Sequence, residues 1–464
     1  MAYRRGMLRL HDTLTGNVSP LELREPGSVT IYACGPTVYD LPHLGHGRYV
    51  LVWDVLRRHL IASGFTVRFV SNITDIDDHI IERASEEGRT EAEVAAHYEH
   101  EWFAALAKLS VLRPDAVPHA TEFVAQMVEL IERLLEAGVA YQTSDGVYLE
   151  VANVADYGLL AGQPLESLRA GARIEPHAEK KSPLDFALWK AAKPGEPFWE
   201  ASFGAGRPGW HTECVAMSLD LLGEGFDLHV GGQDLKFPHH ENERAQAVAL
   251  GRRFATHWAH SGWVMVGAEK MSKSLKNFTS LTDLLATSDP RAYRLLCIQS
   301  HYRAPLEVTG ETIAAAEAAL QRLDNMARRF RLEDLGPDPI VLTNFEVDPS
   351  LQEAFVAALD DDLDTPKAFA TLATAVSAAN AAADEDDEAR GLHLAQSVAV
   401  LLSSLGIFVK SGLGDIDGEA TALAGLRDAA RKAKDWTEAD RLRLELEALG
   451  YTVEDRAGET FLSR

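Results

Sequence analysis

Cysteine is scarce in this chain: 464 residues carry three, Cys34, Cys214 and Cys297. So few in so long a chain argue against a disulfide framework and leave metal binding or catalysis as the better uses. No uninterrupted apolar run approaches the roughly 20 residues that a membrane-spanning helix needs. Residues Met1 to Met7 are basic but lack the apolar stretch and small-residue cleavage site of a secretory signal, so a cytoplasmic address without membrane contact is expected. Positive charge is also short, with 45 Lys and Arg against 70 Asp and Glu and a net charge of −25. Phosphate polymers are drawn by positive fields, which argues against non-specific nucleic-acid binding. The chain has no large basic block, so any RNA ligand has to meet a locally basic face on an acidic body.

What is present suits a globular protein. An apolar content of 46% and a charged content of 25% are ordinary, and the length suggests about three domains. The β-rich run Val29–Ala33 ends at Cys34-Gly35-Pro36, as a buried strand entering a turn does. An apolar-rich helix is expected over Tyr49–Leu60, closed by Ser63-Gly64, and a second strand over Val67–Val70. Strand, helix, strand at this spacing is a βαβ unit and hence a parallel sheet. The pattern changes from about Val117 to Trp199, where a helix over Phe123–Leu135, a β-like segment over Gly146–Val151 and a Gly/Pro-rich region read as an insertion. It resumes with a helix over Glu213–Leu222, a strand over Phe226–Val230, a helix opening at Pro238 and a strand over Trp263–Val266. Helices follow over Thr312–Arg331, within Leu351–Leu405, and as one amphipathic stretch over Ala424–Leu449, before a short β-like tail. The fold class expected is α/β, a doubly wound, Rossmann-like parallel sheet split by an inserted domain and followed by all-α C-terminal domains. The expected divisions are 1–116 and 201–262 for the two halves of the sheet domain and 117–200 for the insertion. Residues 263–335 form a Lys loop with a helical region, and 336–464 a helical bundle and tail.

Two short strings carry the chemistry. Pro42-His43-Leu44-Gly45-His46-Gly47-Arg48 follows a strand and opens a helix, where a parallel sheet presents helix N-terminal amides to phosphate. Gly45 leaves room for a flat nucleobase against backbone, and two imidazoles can donate to phosphate oxygens as charge builds. Alone, the string also fits a polar turn with surface histidines. Lys270-Met271-Ser272-Lys273-Ser274 lies on a polar loop after a strand and can set two compact charges on a triphosphate; a solvated basic loop fits it as well. Among possible metal ligands, Cys34 ends the first strand and Cys214 lies in a predicted helix. His239 and Glu243 are four apart on a helical face, while His240 points about 100° away. Two thiolates, an imidazole and a carboxylate make a credible zinc set, although buried free thiols and a capped helix start fit the same residues. Cys297 reads as a core helix residue.

The two strings, in this order, resemble the signatures of class I aminoacyl-tRNA synthetases. Cys34-Gly35-Pro36-Thr37-Val38-Tyr39-Asp40, Asn72 to Asp78, Gly206 to His211, Phe237 to Glu243 and Glu269 to Ser274 extend the resemblance to the cysteinyl-tRNA synthetases. Asp360-Asp361-Asp362-Leu363-Asp364-Thr365-Pro366 and Ala433-Lys434-Asp435-Trp436 carry it nearly to the C-terminus. The resemblance implies a ligase that activates L-cysteine with ATP, releasing pyrophosphate, and passes the cysteinyl group to the terminal ribose of tRNA(Cys). It implies one Zn(2+) per chain on Cys34, Cys214, His239 and Glu243, and Mg(2+) with ATP. His43, His46, Lys270 and Lys273 would be catalytic. Gly45, Asp234 and Lys273 would bind ATP, Gly35, Thr74 and Trp210 would line the cysteine pocket, and Trp436 would lie near an anticodon-reading surface. A monomer is expected. A ligase of the same fold that joins cysteine to an amino sugar would share these motifs, but the long helical extension after Pro366 favours tRNA. The chain departs from the family pattern at His79 (usually lysine), at Val230 and Gln233 (usually glycine and serine), at Lys276 (often glycine), and in lacking a terminal tryptophan.

Overall fold

The computed structural model describes residues 8–162, 179–266, 280–411, 418–456 and 459–463. A short antiparallel ribbon, β1 (Arg9–Asp12) and β2 (Asn17–Pro20), precedes β3 (Ser28–Ala33). Helix α1 (Leu44–Ala62) crosses over to β4 (Thr66–Ser71), which pairs parallel to β3 with Ser28 opposite Thr66. The helix begins five residues before the expected Tyr49, because His43 caps it through its side chain. It is buried on almost every side, so its sequence reads as continuously apolar rather than amphipathic.

Helices α2 (Asp78–Glu87), α3 (Glu91–Lys108) and α4 (Val124–Glu136) follow. A second sheet then forms in the stretch read as an insertion. Its strands β5 (Ala140–Thr143), β6 (Gly146–Leu149), β7 (Phe186–Ala191) and β8 (Gly206–Pro208) pair antiparallel in that order. The chain returns through α5 (Trp210–Leu222), β9 (Leu228–Gly232), α6 (Glu241–Ala249) and β10 (His257–Ser261). The main sheet has the order β10-β9-β3-β4, all parallel. The chain thus runs outward in opposite directions from the β3–β9 pair, and such a switch point opens a crevice at the carboxyl ends of the strands.

β11 (Val264–Val266) does not join this sheet but pairs with β12 (Leu306–Val308), beyond α7 (Leu281–Thr287) and α8 (Pro290–Ile298). The bundle consists of α9 (Gly310–Arg329), α10 (Pro349–Asp360), α11 (Thr365–Asp384) and α12 (Glu388–Ser403). The chain ends in α13 (Gly418–Lys432), α14 (Trp436–Ala448) and the antiparallel hairpin β13 (Thr452–Arg456) and β14 (Glu459–Ser463). One apolar core runs from β3 and α1 through α8 into the bundle, joining Leu56, Leu295, Leu320 and Leu401. A second core lies under the antiparallel sheet and includes Met127, Trp189, Cys214 and Phe226.

This is the expected α/β architecture, with local differences. No helix opens at Pro238. Lys236–His240 form one wide turn with Phe237 extended at φ −142° and ψ 132°, and the helix starts at Glu241. The single helix expected over Ala424–Leu449 is two, because Lys434 turns left-handed at φ 59° and Asp435 caps a new helix by accepting from the Glu438 amide at 3.1 Å. Among the described residues no helix is long and apolar enough to cross a membrane.

Candidate active site and metal-ligand cluster

The crevice above the β3–β9 pair collects the four candidate metal ligands read from the sequence. Cys34 leaves the end of β3, Cys214 stands in the first turns of α5, His239 sits on the wide turn and Glu243 on the start of α6. All four are buried, and one donor atom from each lies within 4.8 Å of the others. Cys34 Sγ is 3.6 Å from Cys214 Sγ and 3.3 Å from Glu243 Oε1. His239 Nε2 is 3.6 Å from Cys214 Sγ and 3.0 Å from Glu243 Oε1. Donors bound at zinc–ligand distances around a tetrahedral centre stand about 3.3–3.8 Å apart. The three edges that involve a sulfur fall in that range, and the His239–Glu243 edge, at 3.0 Å, is that of a direct ion pair which a cation would have to open.

The protons on the cluster fit the same reading. Burial pushes the Cys34 thiol well up, and contact with Cys214 adds to this. Burial also opposes ionisation of Cys214, but hydrogen bonds with Cys34 and His239 hold it down at about 6. For His239 burial opposes the charged form, and Glu243 outweighs it, raising the imidazole to about 10. Burial opposes the Glu243 carboxylate as well, yet His229 and His239 keep it well below the usual range. Near neutral pH the cluster therefore holds a thiol, a thiolate, an imidazolium and a carboxylate. Exchanging the two protons on Cys34 and His239 for one divalent cation leaves its net charge unchanged, so the ion adds no uncompensated buried charge.

Several neighbours were not singled out from the sequence. His211 Nδ1 meets His239 Nδ1 at 3.0 Å, leaving His239 Nε2 to face the cluster. Glu243 Oε2 is 2.8 Å from His229 Nε2. His240, expected from helical spacing to point away, instead turns inward because it lies on the wide turn before the helix, and with His229, Cys34 and Glu243 it makes a second convergent group. The first group has two sulfur donors and suits a soft cation better, and His229 Nε2 stands back at 4.0 Å from Cys34 Sγ. His240 Nδ1 pairs with His260 Nε2 at 2.9 Å, and His260 Nδ1 with Thr13 Oγ1 at 2.8 Å. Asn72 Oδ1 accepts from the Gly35 amide at 2.8 Å and lies 3.7 Å from Cys214 Sγ. Gly35 has to be glycine, because a Cβ there would stand 1.5 Å from the Asn72 carbonyl oxygen. The strand carrying His257 and His260 alternates poorly and holds several polar residues, which hid it. His229 and Asn72 did lie inside recognised strand and loop segments, and only their inward direction was missed.

The other expected pocket residues lie around this cluster. The Thr74 hydroxyl donates to the buried Glu213 carboxylate at 2.7 Å. Trp210 is partly exposed and stacks on His239, ring centroids 4.1 Å apart. His43 Nδ1 accepts from the His46 amide at 3.2 Å, and His46 Nδ1 accepts from the His43 amide at 3.4 Å. Gly45 lies beneath the His43 ring, where a Cβ would meet Cε1 at 2.9 Å. The Asp234 carboxylate sits over Gly232, and its charge reaches His43. Burial lowers His43, with Asp234 opposing; burial and then His43 lower His46 to about 3. Both rings are therefore neutral at pH 7. Because Nδ1 of each accepts an amide, each ring carries its proton on Nε2 as a donor. Lys270 and Lys273 lie outside the described residues. The chain re-enters the described part at Ser280, bridged antiparallel to His43, and the Leu281 amide donates to the Pro42 carbonyl at 2.9 Å.

Among solved structures the chain is similar to Mycobacterium tuberculosis methionyl-tRNA synthetase in complex with methionyl-adenylate, with TM-score 0.58, 15% identity, and coverage of 82% of this chain and 89% of that one. It is also similar to a putative arginyl-tRNA synthetase from Campylobacter jejuni, with TM-score 0.54, 13% identity, and coverage of 84% and 94%. The fold is that of the class I aminoacyl-tRNA synthetases. A model of the class I (C) tRNA synthetase catalytic domain matches residues 20–318, a DALR domain 354–409, and a cysteinyl-tRNA ligase anticodon binding domain 413–461. A cysteine–tRNA ligase of Thermus thermophilus is 45% identical, covering 97% of both chains. That of Thioalkalivibrio sulfidiphilus is 45% identical, covering 98% of this chain and 99% of the other. The chain belongs to the cysteine–tRNA ligase family. It is an aminoacyl-tRNA ligase that binds cysteine, ATP and tRNA. The amino-sugar alternative is not supported, since the likeness continues through the anticodon-binding module.

Proposed function

We propose that Cys34, Cys214, His239 and Glu243 hold one zinc ion per chain, beside which substrate cysteine is selected by its sulfur. The observation that carries this is the meeting of two buried sulfurs, one imidazole nitrogen and one carboxylate oxygen within 4.8 Å. Zinc there supplies a soft Lewis acid that favours a thiolate over the harder, far less acidic hydroxyl of serine. Rejecting serine by ~10⁴-fold takes roughly 5.5 kcal/mol, more than pocket shape usually provides.

The remaining residues bind and orient. Trp210, Thr74 and the bare backbone of Gly35 form the walls of the cysteine pocket, Gly45 accepts the nucleobase, and Asp234 approaches the ribose. The cysteine carboxylate is already ionised at pH 7, so its attack on the α-phosphorus of ATP needs no general base. His43 and His46 donate from Nε2 to the phosphate as charge accumulates, and Lys270 and Lys273 balance the triphosphate together with Mg(2+). Pyrophosphate leaves, and a terminal ribose hydroxyl of tRNA(Cys) then takes the cysteinyl group, releasing AMP. Residues 263–335 would contact the tRNA stem and residues 336–464 the anticodon, with the exposed Trp436 on that surface. The working form is a cytoplasmic monomer.

Metal analysis of the purified protein, paired with aminoacylation of total tRNA, tests the reading. One zinc per chain is expected, and Cys214→Ser should weaken cysteine binding far more than ATP binding. A metal-free preparation that charges tRNA at full rate would end it.

A further inference from the structure

The aspartate-rich stretch from Asp360 to Pro366 has no part in the chemistry above, yet its four carboxylates all meet specific partners, Asp361 only through an exposed ion pair with Arg9 at 3.5 Å. It is the turn between α10 and α11, at the edge of the stretch matched by the DALR domain. Asp362 and Leu363 are both left-handed, at φ 59° and 50°, a conformation that leucine adopts only when its surroundings hold it there. Those surroundings are segments of the catalytic half. The Asp362 amide donates to the Arg9 carbonyl at 2.9 Å. Asp362 Oδ1 accepts from the His11 amide and from the Tyr302 hydroxyl, each at 2.8 Å, and Oδ2 accepts from Arg303 Nε at 2.9 Å. Asp360 Oδ1 lies 2.8 Å from His59 Nε2, in the last turn of α1. Asp364 caps α11 by accepting from the Lys367 amide at 3.0 Å.

The loop that supplies Tyr302 and Arg303 is held from its other side by α1. Arg48, a buried residue two positions after His46, donates to the carbonyls of His301 and Tyr302 at 3.2 Å each, and to those of Ala304 and Trp263 at 2.5 and 2.6 Å. The contact is close enough that Gly262 has to be glycine, since a Cβ there would stand 2.6 Å from the Arg303 and Ala304 carbonyl oxygens. The Tyr302 ring packs edge-on against Trp53 of α1, centroids 5.8 Å apart. The helix that begins with the two signature histidines is thus joined to the Asp362 turn at two places about three turns apart, through Arg48 and the 301–304 loop and through His59.

From this we infer that Asp362 is a positioning residue for transfer to tRNA: through the 301–304 loop it fixes where the tRNA-reading helices stand relative to α1. The inference rests on the family's activity and not on the metal assignment. Adenylate formation needs only small substrates held in the crevice, whereas transfer needs the tRNA end delivered there by a body anchored elsewhere, so the two steps respond differently when the joint loosens.

Two variants test it. Asp362→Asn keeps one acceptor oxygen and removes the charge facing Arg303; Tyr302→Phe removes one hydrogen bond and keeps the ring on Trp53. Each should lower kcat/KM for tRNA charging by roughly three- to thirty-fold, while cysteine-dependent pyrophosphate–ATP exchange stays within about two-fold of the parent. Combined, they should cost less than the product of the single effects, since they break the same contact. Parallel loss in both assays, or unchanged charging, overturns the inference. If Asp362→Asn does not fold, Tyr302→Phe decides alone.

Discussion

His43 and His46 hold each other in place: the ring nitrogen of each accepts the backbone amide of the other, and the rings stack with centroids 3.6 Å apart. Capping of α1 and presentation of two Nε2 donors are therefore one arrangement. His43→Asn separates them, because asparagine still caps a helix but loses the Nε2 donor. Pyrophosphate exchange should fall by roughly 10²-fold with the melting temperature little changed. Full activity in that variant would remove His43 from the phosphate step.

Acid should destabilise the fold earlier than carboxylate titration alone would. Burial lowers both His46 and His260 to about 3. Below pH 6.5 the unfolded chain takes up protons that the folded chain refuses, so stability falls with pH by about 1.4 kcal/mol per unit per group, down to pH 3. Between pH 7.5 and 5 the unfolding free energy of the metal-loaded protein should drop, and His260→Gln should flatten that slope. A variant with the parent's pH profile would contradict the assignment.

Metal uptake should release protons. Cys34 is held as the thiol and His239 as the imidazolium, whereas Cys214 sits at about 6 and is largely ionised at pH 7.5. Zinc added to metal-free protein at that pH should displace about two protons per ion. Calorimetry in buffers of differing ionisation enthalpy counts them, and a count near zero would mean that the ion binds elsewhere.

Asn72 is a support whose loss should show in both stability and substrate binding. Asn72→Leu leaves the Gly35 amide without its 2.8 Å acceptor, costing roughly 1–3 kcal/mol. Urea unfolding should show that loss, and KM for cysteine should rise while KM for ATP holds.

Gly35→Ala should be worse than any of these. Its methyl would overlap the Asn72 carbonyl oxygen at 1.5 Å, and backbone on both sides has little room to yield. A loss above about 3 kcal/mol is expected, read as poor soluble yield or a collapsed urea midpoint.

The βαβ units were legible because β3, α1 and β4 are buried, apolar and bounded by turn residues. The candidate ligand residues were legible by type and by the short spacing from His239 to Glu243. Their convergence was not, since Cys34 and Cys214 are 180 residues apart and only the strand order brings them together. β10 escaped notice because His257, His260 and Ser261 leave Trp258 and Ala259 as its only apolar residues, too few to show a strand pattern, although all five are buried. The break before α14 was written in Asp435 and Glu438, a cap followed by an acid three residues on, but the apolar periodicity on both sides of it masked the signal.

Cys34 and Glu243 meet although they stand 209 positions apart in the chain, and the whole antiparallel insert is folded between them. An emerging polypeptide consequently has no amino-acid pocket until the second half of the parallel sheet has been synthesised and docked against the first. If the cluster holds the proposed zinc, partly made or misfolded copies would neither capture free cysteine nor retain the ion, so ion retention by a truncated chain would report on completion of the sheet.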